Sequence, residues 1–183
     1  MRALIKRNIN GKKVLLLFIL TNVVYVFMLT ISIPHVMNFS GGKKLLDMMP
    51  TGYNAEYVNS LFYALGKEGR QTYLYKQLPV DMIYPLLFAI SSCLVLAYFL
   101  NKLKKLDGSL FYLCFVPLFS GVFDYGENIG IISMLNSYPG HSGLSIAVTN
   151  IFTVLKSSFT TIYFITLSII LIAFGVSRLN KKK

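Results

Sequence analysis

The sequence predicts an all-α integral membrane protein: an antiparallel bundle of four transmembrane helices whose first outer loop carries an amphipathic helix. Apolar residues make up 55% of the 183 residues and charged residues only 14%, well below the roughly one quarter found in soluble domains. Four apolar runs reach the length of about 20 residues that a helix needs to cross a ~30 Å hydrocarbon core. Clusters of basic residues separate the runs, a pattern typical of membrane topology signals.

The apolar runs define the spans of a single membrane domain. The first run is longer than the apolar region of a secretory signal peptide and ends without a convincing cleavage site, which favours a retained signal-anchor helix. The fourth lies within a longer run, Leu144 to Val176, which indicates tilt or extension beyond the membrane. We predict spans 14–33, 80–100, 109–133 and about 150–176, an outer loop 34–79, a cytoplasmic loop 101–108 and a cytoplasmic tail 177–183.

The distribution of lysine and arginine predicts the orientation of the chain in the cell membrane. The N-terminal tail carries five of these residues, the linker after the second span three, and the C-terminal tail four, whereas loop 136–143 carries none. By the positive-inside rule, both termini and the second loop are cytoplasmic. Because the basic residues occur in short clusters between apolar runs, the net charge of +11 does not indicate nucleic-acid binding. The bilayer is the expected partner, and the sequence identifies no protein partner.

The first outer loop is predicted to contain one amphipathic helix. Asn54 is a suitable N-cap, and Tyr57, Leu61 and Leu65 recur at helical spacing on one face. Gly66 is a plausible stop. A helix of this kind lies on the membrane surface or covers the mouth of a bundle.

Ionisable residues within the predicted spans carry the functional prediction. Asp81, Asp124, Glu127 and Lys156 all fall in these spans, where each ionisable group costs at least about 2.5–3.5 kcal/mol on insertion scales. Counting from the cytoplasmic ends places Asp81, Glu127 and Lys156 near the outer boundary. Asp124 lies about one turn deeper. Asp124, Glu127 and Asn128 share one helix face at spacing i, i+3 and i+4.

These side chains predict a polar pocket between the helices, open to the outer side and roofed by the first loop. A structural interpretation stands beside it: Asp81 could be an interfacial carboxylate at a helix N-terminus, Lys156 could extend its stem towards the interface, and Asp124 with Lys156 could be a bridge that fixes packing. The candidate ligand-binding residues are Asp81, Asp124, Glu127, Asn128, Lys156 and Asn22.

No sequence pattern identifies a catalytic, cofactor or metal site. Walker loops, dinucleotide fingerprints and the usual hydrolase motifs are absent. His35 and His141 lie just outside the spans, where imidazole and carboxylate could hold a divalent ion, but no spacing motif supports this and solvated loop histidines are commoner. Cys93 and Cys114 lie in apolar runs without a Cys-x-x-Cys pattern and are expected to be buried packing residues. The sequence leaves any cofactor undetermined.

Two motifs resemble those of small bacterial four-helix membrane proteins of unknown activity. The stretch 81–85 is similar to their Asp-x-x-[Phe/Tyr]-Pro motif at the start of the second helix, and 124–128 to their Asp-x-x-Glu-Asn face in the third. A looser likeness is to the sterol-isomerase and sigma-2-receptor superfamily, which also has four helices, intramembrane carboxylates and a long first outer loop. This chain lacks the histidine and tryptophan pocket residues of that superfamily, so the likeness implies the fold alone.

Three functions are compatible with the sequence. The first is binding of a small molecule or lipid headgroup in the polar pocket, with the carboxylates favouring a cationic or polar head. The second is a membrane-embedded, lipid-modifying enzyme in which Glu127 or Asp124 acts as general acid/base and Lys156 stabilises developing negative charge. The third is a non-catalytic membrane subunit or immunity-type protein whose first loop contacts a partner.

Overall fold

The computed structural model describes residues 2–180, and within that range the chain forms helices and connecting turns without a strand. The last three residues of the predicted cytoplasmic tail, 181–183, lie outside the described residues. The α-helices are α1 (Arg2–Asn8), α2 (Gly11–Phe27), α3 (Ile33–Met37), α4 (Ala55–Thr72), α5 (Leu78–Asp81), α6 (Tyr84–Lys102), α7 (Val116–Ser137) and α8 (Gly143–Leu179). A π-helical segment, Met28–Ser32, joins α2 to α3, and another, Tyr73–Gln77, joins α4 to α5. A 3₁₀ segment, Ser109–Phe115, precedes α7.

Within residues 2–180, four helical stretches are long and apolar enough to cross a membrane, which confirms the predicted fold class. They are Gly11–Met37, Ala55–Lys102, Ser109–Ser137 and Gly143–Leu179. Each predicted span lies inside one of these stretches, and each stretch extends beyond its span. The longest single helix, α8, has 37 residues and therefore reaches about 55 Å at the helical rise of 1.5 Å per residue.

The helix of the first loop forms where its cap and its apolar stripe predict it. The Asn54 side chain accepts a hydrogen bond from the Tyr57 N–H at 2.8 Å, and Leu61 and Leu65 are buried. Gly66 has a φ of 59° and kinks the helix instead of ending it, because helical geometry resumes and continues to Thr72. A glycine adopts this left-handed φ without steric penalty. The amphipathic helix is therefore longer than the sequence suggested and runs on, through the π-helical segment and α5, towards α6.

Helix α7 lies at the centre of the bundle because small residues let its neighbours approach closely. A Cβ atom at Gly121 would lie only 2.8 Å from the Ala89 Cβ and 2.9 Å from the Pro85 carbonyl oxygen of α6. On the side that faces α8, a Cβ at Gly126 would lie 2.8 Å from the Phe152 ring. Helix α2 packs on α6, α6 packs on α7 and less extensively on α8, and α7 packs on α8.

Two apolar clusters occupy opposite ends of the bundle. The loop-side cluster joins the first loop to the ends of α7 and α8, and the terminus-side cluster joins α1 to α6, α8 and the 3₁₀ segment. Cys93 and Cys114 are buried free thiols in the terminus-side cluster. The largest fully buried members of the loop-side cluster are Leu45, Leu46, Leu61, Phe62, Leu65, Tyr73, Leu78, Ile131 and Met134.

The close approach of α6 and α7 is testable by substitution. We expect Gly121→Val to lower the free energy of unfolding by about 1–3 kcal/mol, because the added methyl groups overpack the interface. Gly175→Val is the matched control, since a Cβ there meets nothing within 4 Å. Thermal unfolding in detergent measures both variants, and equal melting temperatures for the two would contradict the close contact.

Candidate ligand-binding cavity

A cavity of about 580 Å³ lies between α2 and α8, with α6 and α7 behind it and residues 47–50 over its loop-side end. Its volume falls in the range of about 300–1,000 Å³ that is typical of small-molecule sites. Charged groups line one end, hydroxyl groups continue from them, and aromatic rings flank both. The lining includes Asp47, Asp81, Asp124 and Lys156, then Thr21, Ser91, Ser92, Ser120, Ser157 and Thr160, and the aromatic residues Phe18, Tyr25, Tyr84, Phe88, Tyr163 and Phe164.

Lys156 forms a buried ion pair with two carboxylates of α7. Its Nζ lies 3.2 Å from Asp124 Oδ1 and also pairs with Glu127 Oε2. Glu127 is fully buried, and its other oxygen accepts a hydrogen bond of 2.7 Å from the Thr153 hydroxyl of α8. Because α7 supplies both acids and α8 supplies both partners, the cluster fixes the two helices in register. A buried charge of this kind is tolerated only when it is paired.

Asp81 is placed on the cavity wall by a break in the helix. Helix α5 ends at Asp81 and α6 begins at Tyr84. The Asn128 amide donates a hydrogen bond of 3.0 Å to the backbone carbonyl of Asp81, which fixes the end of α5 against α7. Asp81 is 4% exposed, and its Oδ2 has no hydrogen-bond partner among residues 2–180. An acidic group buried without a partner is costly, and this oxygen is available to a group that donates a hydrogen bond.

The sequence analysis missed Asp47, a fourth carboxylate at the cavity. It lies in a 3₁₀ turn of the first loop, Leu46–Met48, and the Tyr73 hydroxyl donates a hydrogen bond to its Oδ1 at 2.8 Å. Burial raises the pKa of Asp47, Lys156 acts in the opposite direction, and Glu127 raises it further. The signal was present in the sequence, because Asp47 is a single acid within the apolar run Leu45 to Met49.

Four of the six predicted site residues line the cavity, and the other two support it. Asp81, Asp124, Lys156 and Asn22 are in the wall. The Asn22 amide donates to the Phe18 carbonyl at 2.7 Å, which leaves its side-chain oxygen for other contacts. Glu127 and Asn128 lie behind the wall, where they hold Lys156 and the end of α5, as described above. For all six residues, a role in ligand binding remains a prediction.

The two histidines lie apart from the cavity. His35 Nε2 is 3.2 Å from Lys76 Nζ, and His141 Nε2 is 2.9 Å from Asn59 Oδ1. His141 also stacks on the Tyr138 ring, with centroids 5.9 Å apart. Among the residues that the structure describes, no group of three or more His, Cys, Asp or Glu side chains could hold a metal ion.

Acidic side chains outnumber basic ones in the cavity wall and its immediate support. Among the residues that the structure describes, four acids, Asp47, Asp81, Asp124 and Glu127, lie there with one basic residue, Lys156. Tyr25 and Tyr84 stack in the same wall, with ring centroids 5.4 Å apart, and aromatic faces attract cations. The arrangement suits a positively charged or hydrogen-bond-donating group.

The raised pKa of Asp47 predicts a specific pH dependence. Because the folded protein holds this carboxyl protonated to a higher pH than the unfolded chain does, the stabilisation linked to it is complete below the ordinary pKa of 3.8. It is lost as the pH rises through the raised pKa. Asparagine is neutral at every pH. We therefore expect the melting temperature of Asp47→Asn to rise relative to that of the unsubstituted protein as the pH increases above 3.8.

Melting temperatures in detergent over a pH series measure this effect. Glu68→Gln is the control, because Glu68 is exposed and forms no ion pair with any of residues 2–180. A profile for Asp47→Asn that runs parallel to that of the unsubstituted protein would contradict the assignment of a raised pKa to Asp47.

Comparisons with known proteins add no family to this description. No protein-family model, no curated protein and no solved structure matches the chain. The function is therefore argued from the cavity itself.

Proposed function

We propose that the chain crosses the cell membrane four times with both termini cytoplasmic, and that its cavity binds a small molecule or the headgroup of a lipid. Four helices of sufficient length and apolarity support the crossings. The basic residues near the ends of the spans support the orientation. In this orientation the charged end of the cavity, under residues 47–50, faces the outer side of the membrane.

The observation that carries the binding proposal is the Asp81 carboxylate. It is buried in the wall of a cavity of ligand size, and its Oδ2 lacks a partner within the described chain. A ligand that carries a positive charge and donates hydrogen bonds would satisfy this oxygen and reduce the acidic excess around Lys156. Hydrogen bonds to charged groups contribute about 1.5–3 kcal/mol each. We therefore propose a cationic head.

The open side of the bundle supports a ligand that partitions into the bilayer. The packing order leaves the cavity between α2 and α8, and the rings and side chains that border it there are exposed: Tyr25, Leu29 and Phe164. Residues 47–50 cover the loop-side end. A molecule dissolved in the hydrocarbon would therefore enter the cavity from the side between α2 and α8.

The contacts of Glu127 favour binding over the enzymatic alternative. Both carboxylate oxygens of Glu127 are engaged, by Thr153 and by Lys156, and the residue is fully buried behind the wall. A general acid or base must reach the proton that it transfers. Of the two acids considered for that role, only Asp124 lines the cavity.

The alternative of a partner-binding subunit depends on the first loop, whose apolar residues largely pack into the loop-side cluster.

Binding of simple amphiphiles tests the proposal. We expect dodecylamine, which carries a positive head at neutral pH, to bind the protein in nanodiscs at least about tenfold more tightly than dodecanol, because the ammonium group meets Asp81. Isothermal titration calorimetry measures both affinities. Asp81→Asn is expected to remove most of the preference for dodecylamine while leaving dodecanol binding unchanged.

Glu56→Gln is the matched control, since Glu56 is an exposed acid of the first loop outside the cavity lining. Equal affinities for the amine and the alcohol, or an undiminished preference in Asp81→Asn, would overturn the proposed binding function.

A further inference from the structure

The N-terminal helix folds back against the bundle instead of continuing α2. Helix α1 packs on α6, and its Ile5 is buried in the terminus-side cluster. Asn10 is the N-cap of α2, and its side chain accepts a hydrogen bond of 3.0 Å from the Lys12 N–H. The fold-back creates a groove that a straight N-terminal extension of α2 would not form.

This groove is a second cavity, of about 320 Å³, and it shares no lining residue with the first. Its walls are almost wholly apolar, with Asn8 and Lys13 as the polar members. The lining residues are Leu4, Ile5, Asn8, Lys13, Leu17, Ile90, Cys93, Leu94 and Leu118.

The polar and apolar parts of the groove lie at different depths. Lys13 belongs to the first turn of α2, which begins at Gly11. Ile90 lies twelve residues before the end of α6 at Lys102, or about 18 Å along the helix axis. The groove therefore runs from a charged mouth at the end of the bundle along an apolar flank, where Ile90 is 42% exposed, and this shape suits a lipid headgroup followed by an acyl chain.

The charge at the mouth identifies the kind of headgroup. Two nearby cations are occupied: Lys6 pairs with Asp107 at 2.6 Å, and Arg2 donates to the Asp107 and Gly108 carbonyls. The three remaining basic residues of this segment are exposed and form no ion pair with any of residues 2–180: Arg7, Lys12 and Lys13. Three uncompensated positive charges beside an apolar groove attract an anionic lipid, and each basic residue near a membrane surface contributes about 1 kcal/mol to that attraction.

We propose that this groove is a binding site for an anionic phospholipid, whose phosphate lies by Lys13 and whose acyl chain lies along Leu17, Ile90 and Leu118. The bilayer supplies the occupant, because four helical stretches of the chain are long and apolar enough to span it. Arg7 and Lys12 provide the additional positive charge that separates an anionic headgroup from a zwitterionic one. This site rests on the proposed membrane crossing but not on ligand binding in the first cavity, so its test and that of the first cavity can fail separately.

The absence of tryptophan from the sequence allows a direct test. Ile90→Trp places the only indole of the chain in the groove, and Ile169→Trp places it on the exposed surface of α8, where Ile169 is 62% exposed. Each protein is reconstituted in phosphatidylcholine vesicles that contain a minor fraction of brominated phosphatidylglycerol or, separately, of brominated phosphatidylcholine. Quenching of the indole by each brominated lipid measures the local enrichment of that lipid.

We expect the ratio of quenching by the anionic lipid to quenching by the zwitterionic lipid to be at least about fivefold higher for Ile90→Trp than for Ile169→Trp. Adding Lys12→Gln and Lys13→Gln to the Ile90→Trp protein is expected to return the ratio to that of the surface reporter. Lys67→Gln, which removes an exposed lysine of α4, is the matched control and is expected to leave the ratio unchanged.

A ratio for Ile90→Trp equal to that of Ile169→Trp would overturn the proposal, as would a ratio that survives the loss of both lysines. If the groove reporter does not fold, the melting temperature of the unsubstituted protein in non-ionic detergent replaces it. Added phosphatidylglycerol is then expected to raise that temperature more than phosphatidylcholine does, and to lose this advantage in the double lysine variant. Equal shifts for the two lipids would overturn the proposal.

Discussion

The rest of the structure depends on the ion pair between Lys156 and the two acids of α7. Lys156 is held by Asp124 at 3.2 Å and by Glu127, and all three side chains are largely removed from solvent. A charge in this position is stable only with its partners in place, so the contact fixes how far α8 slides along α7. The positions of the hydroxyl groups that α8 contributes to the cavity, Ser157 and Thr160, follow from that register.

The same constraint explains why the cavity exists. α7 is drawn towards α8 by the ion pair and towards α6 by the close contact at Gly121, and among the long helices α2 packs mainly on α6. The side between α2 and α8 is therefore not closed by helix packing. The polar layer lies between the loop-side and terminus-side clusters, so the charged groups occupy a part of the bundle that these two clusters leave unfilled.

The sequence predicted the parts of this arrangement that depend on local spacing. Hydropathy located the four long helices, and the i, i+3, i+4 pattern placed Asp124, Glu127 and Asn128 on one face. Both signals lie within a single helix, where periodicity determines which residues share a surface. The Asn54 cap was found for the same reason.

The remaining parts depend on contacts between segments that are distant in sequence. Asp47 reaches the cavity because Leu45 and Leu46 anchor the first loop in the loop-side cluster, and no helical period connects that loop to the spans. Glu127 and Asn128 were expected beside the ligand, but they lie behind the wall because their partners, Lys156 and the backbone of Asp81, belong to other helices. The open side of the bundle is likewise a property of four helices together.

A double-mutant cycle on Lys156 and Glu127 tests the central claim most directly. The unfolding free energy is measured in detergent for Lys156→Met, Glu127→Gln and the double variant. The account predicts that Lys156→Met costs about 3–5 kcal/mol and that the double variant is more stable than the sum of the single effects by more than about 1 kcal/mol. Effects that add to within about 0.5 kcal/mol would contradict the ion pair and, with it, the register on which the cavity depends.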